Sequence, residues 1–299
     1  HGITSQVEGL AKALDLEYFR EKIELNKPWN LFPPSLTPVK QFVFKNQISK
    51  DYDVIISCGR KSVIPSIFLK KNSNKKIINI HIQNPKVSLK NFDFVVIPDH
   101  DNIVGSNVLI SKGAIHYLTI DEIDKAENYL QNKIQKDKDV ITLILGGPTN
   151  YYNYSNENII QIFSKINKQM IEKNLQLIVV PSNRTPEQII QFAKEYFNKN
   201  RLIIESVDKQ AYLSSLSLAK YIIVTCDSSS MISEAALTGK PVYVAMIPAS
   251  RSDKRFQKFR NLLESMNIIR KLEDTLDTWN YEKLDETNRI AKQIKKKLF

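Results

Sequence analysis

The segment Tyr221 to Val244, YIIVTCDSSSMISEAALTGKPVYV, constrains this chain more than any other stretch. Its apolar, largely β-branched run Tyr221 to Val224 suits a buried parallel strand, and it gives way after Cys226 to the polar turn Asp227-Ser228-Ser229-Ser230. A helix follows, with Met231 in its first turn. Gly239 closes that helix as a left-handed cap does, and Pro241 precedes a second strand from Val242. Strands joined through a helix run parallel, so this is a βαβ unit. Any of Asp227 to Ser230 can cap the helix, and the N–H groups left over, with the helix dipole, favour an anion such as phosphate. The same residues would also serve as ordinary turn and cap. Ligands of open parallel sheets bind beyond the carboxyl ends of strands, so the turn is a candidate site.

The alternation continues through the chain. Strands are expected at Asp53 to Ser57, Lys76 to Ile82, Phe92 to Ile97 and Asn107 to Ile110, and again at Val140 to Leu145, Leu175 to Val180 and Leu202 to Ile204, with helical segments between. This predicts an α/β protein of two doubly wound, Rossmann-like domains facing a cleft. The first covers residues 1–120, a charged linker 121–138, the second 139–280, and a helix over 281–299 can pack back on the first. A loop at His1-Gly2 enters a helix marked by the capping-box pattern Ser5-Gln6-Val7-Glu8. Such a loop normally follows a strand, so several apolar residues are expected before His1 as the first strand of the first sheet.

Lysine and arginine exceed aspartate and glutamate by 11, with local clusters at Lys70-Lys71-Lys75-Lys76, at Lys254-Arg255-Lys258-Arg260 and at Lys295 to Lys297. Such an excess suits a phosphorylated substrate or a peripheral contact with an anionic membrane, or it reflects a lysine-, asparagine- and isoleucine-rich composition. Without regularly interleaved aromatics or a recognisable motif, nucleic acid is not expected as a partner. No apolar run is long enough to span a bilayer. Cys58 and Cys226 stand at separate strand ends, so a reducing, cytoplasmic setting is expected, and two cysteines with four scattered histidines make no metal motif.

The residues after each strand map the candidate site. Gly59-Arg60 follows the first strand, Asp99-His100-Asp101 the third, Gly146-Gly147 the first strand of the second domain, and Ser182-Asn183-Arg184 the next. Two glycines let backbone approach a ligand, and their N–H groups can cradle a diphosphate. Arg184 offers a fixed fork for phosphate, or a plain surface charge. Glu234, one to two turns into the helix after the serines, can accept hydrogen bonds from ribose hydroxyls, or stand as an exposed helix residue. Asp99-His100-Asp101 can be an acid/base set, a metal pair or a polar turn, and His1 a general base or a structural loop residue.

The stretches GRKS from Gly59, PDHD from Pro98, NVL from Asn107, GGP from Gly146, SNRTP from Ser182, DSSSMISEAALTGKPVY from Asp227 and ETNRIAKQI from Glu286 together resemble the mitochondrial fission Elm family, found in plants and widely in alphaproteobacteria. Asn183 departs from the arginine usual there, and Gln210-Ala211-Tyr212 from Asn-Pro-Tyr. The resemblance implies a fold similar to B-type glycosyltransferases of the peptidoglycan N-acetylglucosaminyl kind. Their second domain holds a nucleotide-sugar by a glycine loop and a ribose-binding Glu, matching Gly146, Gly147 and Glu234, usually without a metal cofactor. Two functions follow as expectations: metal-independent transfer of a sugar from a nucleoside diphosphate, or a non-catalytic scaffold on the same fold that acts at a membrane or on partner proteins. An epimerase is less expected, because the chain has no GxGxxG fingerprint.

Overall fold

A computed structural model describes residues 2–48 and 52–298. The chain divides into two compact units, His1–Tyr117 with Asp285–Phe299, and Leu118–Leu284. His1, a candidate base, lies outside the described residues.

In the first unit α1 (Gly2–Ala13) precedes β1 (Val54–Cys58), α2 (Val63–Lys71), β2 (Ile78–Ile82), β3 (Phe94–Pro98) and β4 (Val108–Ser111). The four strands are parallel and lie in chain order, so among the described residues this sheet winds in one direction. Both faces are covered. Phe94 and Val96 of β3 join Leu10 and Leu14 of the first segment on one side, while Val95 and Ile97 join Val63 and Ile67 of α2 on the other. Burial on both faces is why these strands read as continuous apolar runs rather than alternating ones. The first helix begins at Gly2, so Ser5 of the capping-box pattern is interior and caps nothing. Between α1 and β1 an isolated antiparallel bridge joins Leu25 to Phe44.

The second unit opens with two short helices, α3 (Ile120–Lys125) and α4 (Asn128–Gln131), across the stretch expected as a charged linker. Thr119 and Glu122 cap α3 reciprocally. There follow β5 (Val140–Leu145), α5 (Asn156–Glu172), β6 (Gln176–Pro181), α6 (Glu187–Tyr196), β7 (Arg201–Ile203), α7 (Lys209–Leu218), β8 (Ala219–Thr225), α8 (Ser229–Ala236), β9 (Val242–Ala245), α9 (Lys254–Ser265) and β10 (Ile269–Lys271). The six-stranded parallel sheet has the order β10-β9-β8-β5-β6-β7. From β5 the chain winds outward to β7, then returns to the other side of β5 and winds outward again. The reversal between β5 and β8 sends the loops after these two strands to opposite faces and leaves a crevice between them. The edge strand β10, too short and mixed to stand out as a pattern, escaped the sequence reading.

The chain ends in α10 (Glu286–Leu298), which belongs to the first unit and starts five residues after the expected Tyr281. Ile290, Ala291 and Ile294 of α10 are buried with Leu10 and Leu14. Among the described residues no helix is long and apolar enough to cross a membrane.

Candidate functional site

At the β5/β8 switch point, side chains from three loops meet on one carboxylate. Asp227, the second residue after β8 and 4% exposed, accepts from Arg184 Nη2 at 2.7 Å and from the Gly147 N–H at 3.2 Å through Oδ2. Its other oxygen lies 2.5 Å from the Tyr154 hydroxyl. Burial, and then the neighbouring Asp227 charge, push the Tyr154 hydroxyl pKa far upward, so it stays a donor. Arg184 also donates Nη1 to the Gly147 carbonyl at 2.8 Å, which ties the loop after β6 to the loop after β5. Thr185 completes the tie by donating toward the carbonyls of Leu145 and Gly146, 2.8 and 2.6 Å away.

These contacts reassign several residues. The N–H groups of Gly146 and Gly147, expected to cradle a diphosphate, are taken by Thr225 Oγ1 at 2.8 Å and by Asp227. The glycines answer to packing: a Cβ on Gly146 would stand 2.2 Å from Asp227 Oδ2, and one on Gly147 1.9 Å from the Arg184 carbonyl oxygen. Asp227 holds Arg184 and does not reach outward. Arg184 keeps further N–H donors and a side chain 40% exposed, so it can meet a ligand without releasing Asp227.

Of the four polar residues after β8, Ser228 is the cap, its Oγ accepting from the Met231 N–H at 3.3 Å. That leaves the N–H groups of Ser229 and Ser230, the first two of α8, without a partner among the described residues. Ser230 and Glu234 are one turn apart on the half-open face of α8. Glu234 accepts from the Tyr212 hydroxyl of α7 at 2.7 Å, and burial pushes its carboxyl up to about 7 despite that bond. Ser182 and Asn183 form the turn into α6, with Ser182 Oγ accepting from the Arg184 N–H at 3.3 Å.

The wall beside this site is built by residues the sequence did not reveal. The loop after β5 pairs with the loop after β9 through a Tyr152–Ala249 bridge, and the Ser250 N–H donates to the Tyr151 carbonyl at 2.8 Å. Arg251 lies 4.6 Å over the Tyr151 ring. Beneath them the buried Arg260 reaches Asp253 at 2.9 Å and the Tyr152 hydroxyl at 3.0 Å. Thr225 and Tyr154 sit in strand-end and loop positions without periodicity. Thr185, inside SNRTP, and Thr225, inside the segment Tyr221 to Val244, stood in stretches already singled out.

The remaining candidates lie on the first unit. Gly59, at φ 81°, turns β1 into a short 3-10 helix containing Arg60, and Ser62 donates back to the Cys58 carbonyl at 2.9 Å. Asp99-His100-Asp101 is a 3-10 turn after β3, with His100 Nε2 3.8 Å from Asp101 Oδ1. With β2 between them, the ends of β1 and β3 are about 10 Å apart. Cys58 and Cys226 are free, buried thiols, raised by burial to about 12 and about 11. Among the described residues no three His, Cys, Asp or Glu side chains are placed to hold a metal ion.

Two parallel α/β units, the second doubly wound with its candidate site at the switch point, define a protein of the glycosyltransferase-B-like fold. The UDP-GlcNAc 2-epimerase of Neisseria meningitidis, solved bound to UDP-GlcNAc, is similar at a TM-score of 0.51 and 16% identity, covering 82% of this chain and 75% of that one. The chain belongs to the family described as Mitochondrial fission ELM1, whose model matches residues 1–298. It is 27% identical to an uncharacterized protein of Rickettsia prowazekii (strain Madrid E), over 98% of this chain and 95% of that protein. It is also 23% identical to the mitochondrial fission protein ELM1 of Arabidopsis thaliana, over 82% of this chain and 64% of the plant protein.

Proposed function

We propose that the second unit binds the diphosphate of a nucleoside-diphosphate-sugar at the N-terminus of α8, and that the protein transfers the sugar to an acceptor. The observation that carries this reading is the pair of unpartnered N–H groups at Ser229 and Ser230, beside the β5/β8 crevice. Breaking the bond between the sugar and the diphosphate leaves extra negative charge on the latter. The α8 dipole and the outward N–H groups of Arg184 oppose that charge, and both are fixed before the ligand arrives. Ionised Glu234 accepts from the ribose hydroxyls, one turn from the phosphate. A general base takes the acceptor's proton. The name of the neisserial protein, bound to UDP-GlcNAc on the same fold, supports the donor class.

A second reading is a binding module without turnover, in which the N-terminus of α8 holds the nucleotide and no sugar is transferred. A thermal-shift screen with UDP, GDP and their sugars tests the common ground. Stabilisation by diphosphates and not by free nucleosides is expected, and no shift at millimolar ligand would overturn the nucleotide reading. Release of free sugar or transfer product from a bound donor separates the enzyme from the module.

A further inference from the structure

The basic clusters visible in the sequence are partly spent on internal pairs: Lys70 with Asp93 at 2.6 Å, Lys75 with Asp53 at 2.9 Å, Lys295 with Asp15 at 2.5 Å, and buried Arg260 with Asp253. Yet the excess charge is uneven. The first unit holds 21 Lys and Arg against 12 Asp and Glu, nine of the chain's net +11. It also holds the densest group of outward apolar side chains, on the excursion of residues 26–43.

That excursion is closed at its base. The Asn26 N–H donates to the Val43 carbonyl at 2.8 Å, Asn26 Nδ2 donates to the carbonyls of Phe42 and Phe44, and Phe44 packs edge-on against Phe68 of α2 at 5.0 Å. From this base Leu31, Phe32, Leu36 and Phe42 project with exposures of 42% to 71%. Trp29 links them, its ring 5.9 Å from Phe32 and 6.1 Å from Phe42. Solvent-facing aromatics held in place are the signature of a surface meant to be covered. The charges say by what. Residues 26–43 contain no carboxylate, and Lys27, Lys40 and, beside Asn30, Arg60 with Lys61 are exposed without an ion pair among the described residues. Apolar and aromatic tips ringed by unpaired cations match the interface of an anionic bilayer, where rings sit at headgroup depth and lysines face phosphates.

We infer that this face docks the protein on membranes containing anionic phospholipid. The inference is independent of the nucleotide reading. It is tested by co-sedimenting the chain with phosphatidylcholine vesicles, and with vesicles to which phosphatidylglycerol is added, at low and high salt. The wild type is expected to bind only the anionic vesicles, less at high salt. Lys27→Glu/Lys40→Glu weakens binding on the order of 30-fold. Leu31→Ser/Phe42→Ser weakens it at both salts, and Lys136→Glu/Lys199→Glu on the second unit, with the same change in net charge, leaves it intact. Unchanged melting temperatures show that the variants are folded. The inference fails if the wild type ignores anionic vesicles, or if the second-unit control loses as much binding as Lys27→Glu/Lys40→Glu. It fails equally if the wild type is a dimer that Leu31→Ser/Phe42→Ser dissociates.

Discussion

Arg184 and Asp227 fasten the loops after β6 and β8 to each other, Nη2 to Oδ2 at 2.7 Å, with the Asp227 side chain fully shielded from water. Removing the buried Asp227 carboxylate strands the Gly147 N–H and the Tyr154 hydroxyl that donate to it, while Arg184→Ala leaves Asp227 with those two donors. Asp227→Ala is expected to cost about 3 kcal/mol in urea unfolding and Arg184→Ala about 1–2 kcal/mol. The double variant should be less destabilised than the sum, because removing the carboxylate also removes what Arg184 was pairing. Strict additivity would mean that the pair does not hold the loops.

Gly147→Ala should be more damaging than Gly146→Ala. The added methyl group on Gly147 meets the Arg184 backbone, which moves only with its loop, whereas that on Gly146 meets the Asp227 carboxylate. Losses of about 3 and about 2 kcal/mol are expected, read from thermal or urea unfolding. Equal tolerance of both would remove the packing explanation for this glycine pair.

Glu234 makes stability fall as pH rises. Its carboxyl is held near 7 by burial against an ordinary value of 4.5, so between these pH values the folded state keeps a proton that the unfolded chain has released. Urea midpoints should therefore decline across that window, and Glu234→Gln should flatten this part of the profile. If the ionised carboxylate holds ribose, Glu234→Gln should weaken a nucleoside diphosphate and spare inorganic pyrophosphate. A profile in Glu234→Gln identical to the wild type would contradict the assignment.

His81 acts with the opposite sign. It is fully buried on β2, its Nδ1 is 2.8 Å from Ser57 Oγ, and Nε2 has no partner among the described residues. Burial lowers its pKa from 6.5 to about 4. Between these values the unfolded chain takes up a proton that the folded state refuses, so stability falls as pH drops from 6.5 toward 4. The loss is about 3 kcal/mol, and His81→Gln should remove it in urea titrations over that range.

The sheet strands were legible because burial on both faces turns each into a compact apolar run, as Phe94 to Ile97 and Val140 to Leu145 show. Segment ends were less so. Ser5 looks like a cap, yet the helix starts at Gly2, because a capping pattern in sequence says nothing of the turn before it. At the site, the loops after β5, β6 and β8 stood out in the sequence, but the direction of their side chains did not. Asp227, Gly146 and Gly147 look ligand-facing in one dimension and bind each other in three. The contacts of Tyr154 and Thr225 were invisible because their partners lie more than 70 residues away. The exposure of the apolar side chains at residues 26–43 has no signature in a sequence stretch without period.

The N–H of Ser229 carries the central claim, and one substitution, read against a control, isolates it. Ser229 is the first residue of α8 and Ser228 before it is extended, at φ −126° and ψ 98°, so proline fits at 229 and removes that N–H together with the hydroxyl, which Ser229→Ala removes alone as the control. Calorimetric titration of UDP and GDP into the wild type and Ser229→Pro is the direct measurement. The account predicts binding of at least one diphosphate to the wild type, and affinity about tenfold lower in a Ser229→Pro variant that melts at the same temperature. Equal affinity in the two proteins, or no binding to the wild type, would contradict it.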